Sequence, residues 1–190
     1  ALLITPYYNK PTSEGQLAHS RTIAEAVKFP IVLYNVPGRT GTKMSPETIA
    51  ELAKTPNIQA VKEACGSVDQ VSQIHCLSSI VIMSGDDSLT LPMMAVGATG
   101  VISVAANVVP AKVAAMCSSF VKGDLAEAQR IHYELMPLFK GLFIETNPMP
   151  VKAALARMGL IENKLRLPLT PLRPDAFAKL EPILKELGLI

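Results

Sequence analysis

The stretch Ile58-Gln-Ala-Val-Lys-Glu-Ala64 ends a short apolar run with a lysine. In a strand, alternate residues share a face, so Lys62 lies on the side of Ala60 and Ile58. An ammonium among apolar neighbours is disfavoured, which lowers its pKa and leaves free amine to attack a carbonyl. That is Schiff-base chemistry. The other reading of Lys62 is a strand-end lysine with a buried stem and a head in water. Tyr34 closes an earlier apolar run, and on adjacent strands about 5 Å apart the two side chains can touch. A phenol there donates a proton to a carbinolamine and takes it back; it can equally be a core aromatic with a satisfied hydroxyl. Arg39, in the segment Asn35-Val-Pro-Gly-Arg-Thr-Gly41, offers a fork that suits a carboxylate, or else is a solvated loop residue. Gly85-Asp86-Asp87 reads as an aspartate cap after a glycine that admits a close approach of backbone, and two aspartates alone are a poor metal signal. His19, His75 and His132 fall in helical segments away from strand ends.

What must position these residues is a repeat of apolar strand followed by helix. Strands are expected at Ala1–Thr5, Pro30–Tyr34, Ile58–Glu63, Ile80–Met83 and Gly100–Val104. Ser13, with Gln16 three residues on, gives a capping-box pattern for the first helix. Ser45-Pro46 supplies an N-cap and a first-turn proline for the second. Strands apolar throughout that alternate with helices imply a parallel sheet. No G-x-G-x-x-G or Walker A pattern follows any of them. The unusual residues sit at carboxyl ends of different strands, so the fold class is α/β, a (β/α)8 TIM barrel with its last five units present. The partial barrel is expected over 1–121, with a helical appendage over 122–190.

Of 190 residues, 49% are hydrophobic and the net charge is +2, which gives a real core and no polyanion-binding stripe. No apolar run reaches the ~18 residues of a membrane span. The three cysteines share no metal-ligand spacing and read as reduced thiols, which places the chain in the cytoplasm. The first residue falls inside an apolar run, so upstream elements are expected to be missing.

Five ordered motifs carry a resemblance: Tyr7-Tyr-Asn-Lys-Pro11, Tyr34-Asn-Val-Pro-Gly-Arg-Thr-Gly41, Val61-Lys-Glu-Ala64, Ser84-Gly-Asp-Asp87 and Gly100-Val-Ile-Ser-Val104. They resemble the series of the dihydrodipicolinate synthase (4-hydroxy-tetrahydrodipicolinate synthase) family, within the class I aldolase superfamily that also holds N-acetylneuraminate lyase. Asn147-Pro-Met-Pro-Val-Lys152 and Leu167-Pro-Leu-Thr-Pro171 extend it to the whole chain. The resemblance implies a lyase in lysine and diaminopimelate biosynthesis that condenses pyruvate with L-aspartate 4-semialdehyde, with no cofactor beyond the covalent imine and no metal. It makes Lys62 the imine-forming residue, Tyr34 the proton donor and acceptor, and Tyr8 a relay residue that acts in trans. Arg39 would hold the semialdehyde carboxylate, while Ile102 and Gly85 would adjoin pyruvate. Tyr7 would line an interface pocket for inhibitory L-lysine. A homo-oligomer, dimer or tetramer, is implied, with neither nucleic acid nor membrane as partner.

The family's first three βα units are absent, and with them its Gly-Thr-Thr-Gly-Glu loop, so these residues alone are expected to be inactive. Two rival readings stand beside the synthase. One is a sibling pyruvate-dependent aldolase acting on a sugar acid or hydroxy-oxo acid, against which Arg39 argues. The other is a truncated, non-catalytic paralogue that serves as an assembly protein.

Overall fold

The computed structural model describes residues 1–190. Five strands, β1 (Leu2–Ile4), β2 (Ile31–Asn35), β3 (Ile58–Glu63), β4 (Val81–Ser84) and β5 (Gly100–Val101), form one sheet in chain order, and every pairing is parallel. An order without reversal has no topological switch point, so this is the arrangement of a barrel and not of a doubly wound sheet. The chain between strands forms α1 (Ser13–Ala26), a one-turn α2 (Pro37–Thr40), α3 (Pro46–Leu52), α4 (Val68–Leu77) and α5 (Thr90–Ala95). These elements make up the first of two compact units, Ala1–Ile102; the second is Ser103–Ile190.

The two faces of the sheet differ. Ile31, Leu33, Val61 and Ile82 are buried, and they share a core with Ile49 and Leu52 of α3 and Val71 and Ile74 of α4. Register places the alternate residues together on the other face: Ile4 pairs with Tyr34, Tyr34 with Lys62, Lys62 with Met83 and Met83 with Gly100. Leu2, Ile4 and Val81 remain exposed there. A bulge on β3 refines the expected face of Lys62. Ile58 pairs with Ile31 while Ala60 pairs with Val32, so Gln59 is the extra residue and only Ala60 keeps the alternation with Lys62.

Ser45 caps α3 through the Thr48 amide, at 3.2 Å, with Pro46 in the first turn. The cap of α1 is Thr12, whose hydroxyl accepts from the Gly15 amide at 3.3 Å; Ser13 is the first helical residue. Gln16 consequently falls one position beyond the box and instead donates to Pro11 O, Thr42 Oγ1 and Lys43 O. The segment after β2, read as a loop, closes into α2, which ends at Gly41 in the left-handed region at φ 70°.

The second unit is helical: α6 (Pro110–Val121), α7 (Leu125–Gly141), α8 (Met149–Arg157) and α9 (Pro174–Glu186). Asp124 caps α7 by accepting from the Glu127 amide at 3.1 Å. α6 packs on α7, and α9 packs on α7 and α8, around fully buried Leu135, Leu138, Leu142, Leu180 and Leu184. The sequence division after Val121 groups α6 with the strands, whereas its packing partner is α7.

Candidate active site

Tyr34 and Lys62 are register partners near the carboxyl ends of β2 and β3, and the lysine Nζ lies 4.2 Å from the centroid of the tyrosine ring. Both side chains are partly buried. Desolvation is the largest influence on the amine and pulls its pKa below the ordinary lysine value. Two charges act in opposite directions on it: the Asp87 carboxylate favours the ammonium, and the Arg39 guanidinium disfavours it. Burial likewise raises the Tyr34 phenol, which therefore keeps its proton, and Arg39 opposes that shift. One guanidinium thus reaches both groups electrostatically, from its exposed position on the one-turn helix after β2.

Gly85 follows β4, with its amide donating to Glu63 O at 2.8 Å. A Cβ at Gly85 would stand 2.8 Å from Ala64 Cβ, 3.0 Å from Lys62 Cε and 3.1 Å from Lys62 Cγ. The glycine is therefore what lets the lysine stem pass across the end of β4. Ile102 is exposed, and its backbone N–H donates to Ser84 O at 2.9 Å. Tyr7 and Tyr8 do not join this group within one chain: both are exposed, Tyr8 at 89%, and Tyr8 adopts φ 68°. A bulky residue in the left-handed region is an outlier that surrounding structure must hold.

Asp86 performs the capping expected of the aspartate pair, its Oδ1 accepting from the Ser88 amide and hydroxyl at 3.0 Å each. Asp87 is buried and is the negative charge that favours the Lys62 ammonium. No group of three or more His, Cys, Asp or Glu residues is arranged to hold a metal. His19 and His75 are exposed; His132 is buried in α7, and desolvation lowers its pKa.

Sequence reasoning assigned no role to Asn35, Glu63 or Gln70, which form a buried polar cluster directly behind the Tyr34–Lys62 pair. The signal was present in Asn35 and Glu63, polar residues on the buried face of otherwise apolar strands, where each must find a hydrogen-bond partner.

Fold and site together define a (β/α)8-barrel protein built around a strand-end lysine. The chain belongs to the dihydrodipicolinate synthetase family, whose pattern matches residues 1–187. It is 53% identical to the 4-hydroxy-tetrahydrodipicolinate synthase of Pelobacter propionicus over all of its own length and 66% of that protein. The crystal structure of dihydrodipicolinate synthase from Aquifex aeolicus superposes with a TM-score of 0.97 at 48% identity, covering 100% of this chain and 66% of that one. The chloride-inhibited dihydrodipicolinate synthase of Acinetobacter baumannii, complexed with pyruvate, gives 0.96 at 45% identity, again over 100% and 66%. The chain thus spans about 66% of the length of the relatives it matches. No helix is long and apolar enough to cross a membrane.

Proposed function

We propose that the protein acts as a Schiff-base-forming lyase, a 4-hydroxy-tetrahydrodipicolinate synthase that condenses pyruvate with L-aspartate 4-semialdehyde on the route to lysine and diaminopimelate. The observation that carries this reading is the Lys62 amine, partly desolvated at a strand end and stacked over the Tyr34 ring. The neutral amine adds to the pyruvate carbonyl, water leaves, and an imine forms. Loss of a methyl proton converts the imine to an enamine, whose carbon attacks the aldehyde. Cyclisation through the amino group of the second substrate then frees Lys62. Tyr34 supplies and recovers the protons, since its raised pKa keeps it a donor at neutral pH.

Arg39 supplies the cation for the semialdehyde carboxylate, and Gly85 and Ile102 border the pyruvate. Tyr8 is read as the residue that enters a neighbouring copy's site: its exposed ring suits a group offered outward in a homo-oligomer. Tyr7, exposed beside it, is read as lining an interface pocket for lysine. No cofactor is needed, because the imine itself is the electron sink.

Borohydride reduction of the full-length protein with pyruvate tests the reading. A pyruvate-derived mass on Lys62 is expected; a folded, full-length protein that gains none would overturn it. Arg39→Ala separates the synthase from a sibling aldolase. The adduct should persist while KM for the semialdehyde rises, and unchanged kinetics would favour the sibling.

A further inference from the structure

The next pair in register after Tyr34 and Lys62 is Asn35 and Glu63, on the opposite face of the sheet. Glu63 is 0% exposed, and its hydrogen-bond partners are neutral groups, three of them N–H donors and one the Cys65 thiol. Oε1 accepts from the Cys65 amide at 2.8 Å and from Asn35 Nδ2 at 3.1 Å; Oε2 accepts from Asn35 Nδ2 at 3.0 Å and from Gln70 Nε2 at 2.9 Å. Met44 backbone closes the cluster. Its amide donates to Asn35 Oδ1 at 3.0 Å, and its carbonyl accepts from Asn35 Nδ2 at 3.2 Å and Gln70 Nε2 at 3.0 Å. The carboxylate therefore ties together the end of β2, the end of β3 and the first turn of α4, and Asn35 and Gln70 extend the cluster to the segment before α3.

A buried carboxylate is costly unless its lone pairs are filled, and a network of this kind holds its members to one geometry. Here that geometry is the relative position of the two strand ends that carry Tyr34 and Lys62. An apolar pair at Asn35 and Glu63 would fill the same space without fixing register. We propose that Glu63 is a positioning residue for the Lys62 amine: from the helix side of the sheet its carboxylate locks the ends of β2 and β3, so that Lys62 stands over the Tyr34 ring. This rests on the reading of Lys62 as the imine-forming amine.

Glu63→Gln tests it with little change in volume. The carboxylate accepts from Asn35, Gln70 and both the amide and the thiol of Cys65, so the new amide gives up at least one of these bonds, and its N–H2 finds an acceptor only if Gln70 turns its unpartnered Oε1 toward it. In the full-length protein two quantities are read: the pH profile of Lys62 acetylation by acetic anhydride, located by peptide mass, and the rate of pyruvate trapping at Lys62 by borohydride. The first reads the amine without pyruvate. Folded Glu63→Gln should move the acetylation profile up toward ordinary lysine and slow trapping at neutral pH at least tenfold. Gln70→Met, which removes one donor from the carboxylate, should shift both in the same direction by less. Unmoved acetylation and trapping in folded Glu63→Gln would overturn the proposal, and if that variant does not fold, unmoved values in Gln70→Met would do so. If even the wild type traps no pyruvate, the reading of function is lost. The acetylation profile then decides the part of Glu63 alone, an unmoved profile counting against it.

Discussion

The Lys62 ammonium lies 4.2 Å from the centroid of the Tyr34 ring, on strands where the two residues are register partners. The ring face attracts a cation, and the hydroxyl at its edge can carry a proton, and these two roles separate by mutation. Tyr34→Phe keeps the ring and removes the proton. It is expected to leave pyruvate trapping at Lys62 detectable while kcat falls about 100-fold, the lower range for loss of a general acid–base group. A kcat within a factor of two of wild type would remove Tyr34 from the proton path.

Gly85→Ala should act on the amine without touching a charge. The added methyl would sit 2.8 Å from Ala64 Cβ, which moves only with its backbone, and 3.0 Å from Lys62 Cε, whose stem can swing away. Overpacking of this kind costs about 1–3 kcal/mol. We expect a cooperative but lower thermal transition and a loss of pyruvate trapping larger than the stability loss explains. Full trapping would mean that the stem has a second route to the same position.

The start of α1 gives a prediction that separates two adjacent hydroxyls. Thr12 Oγ1 accepts from the Gly15 amide, whereas Ser13 is already inside the helix. Thr12→Ala should cost about 1 kcal/mol in urea unfolding, the usual loss for an N-cap, and Ser13→Ala close to nothing. The reverse order would restore the capping box that the sequence pattern offers.

Legibility in the sequence followed the strength of the local signal. The bounds of β3 are those expected, because its apolar run ends at an unambiguous neighbour, Glu63. Strand β5 is shorter than its apolar run, Gly100–Val104, because only Gly100 and Val101 find ladder partners on β4. The bulge at Gln59 left no trace, since it depends on how β2 pairs. The Tyr34–Lys62 juxtaposition was readable because both close apolar strands at the same height, and the barrel order makes those strands neighbours. What stayed hidden needed three dimensions. The Asp87 charge acts on Lys62 only once β4 lies beside β3, and Glu63 meets Gln70 only when α4 folds back over the strand it follows.

The two charges that act on Lys62 should move its chemistry in opposite directions. Desolvation leads in lowering the amine's pKa; Arg39 lowers it further and Asp87 raises it. Arg39→Ala therefore shifts the pH profile of imine formation upward, because more base is needed to free the amine, and Asp87→Asn shifts it downward. Stability follows by linkage. With the folded pKa below the unfolded one, the unfolded chain binds the extra proton between the two values, so Lys62 makes stability rise with pH across that window. Arg39→Ala narrows the window by raising its lower edge, and Asp87→Asn widens it. Pyruvate trapping against pH in the full-length protein, paired with urea midpoints at the same pH values, checks both signs. Shifts of the same sign in the two variants would mean that at least one of the two side chains does not act on the amine through its charge.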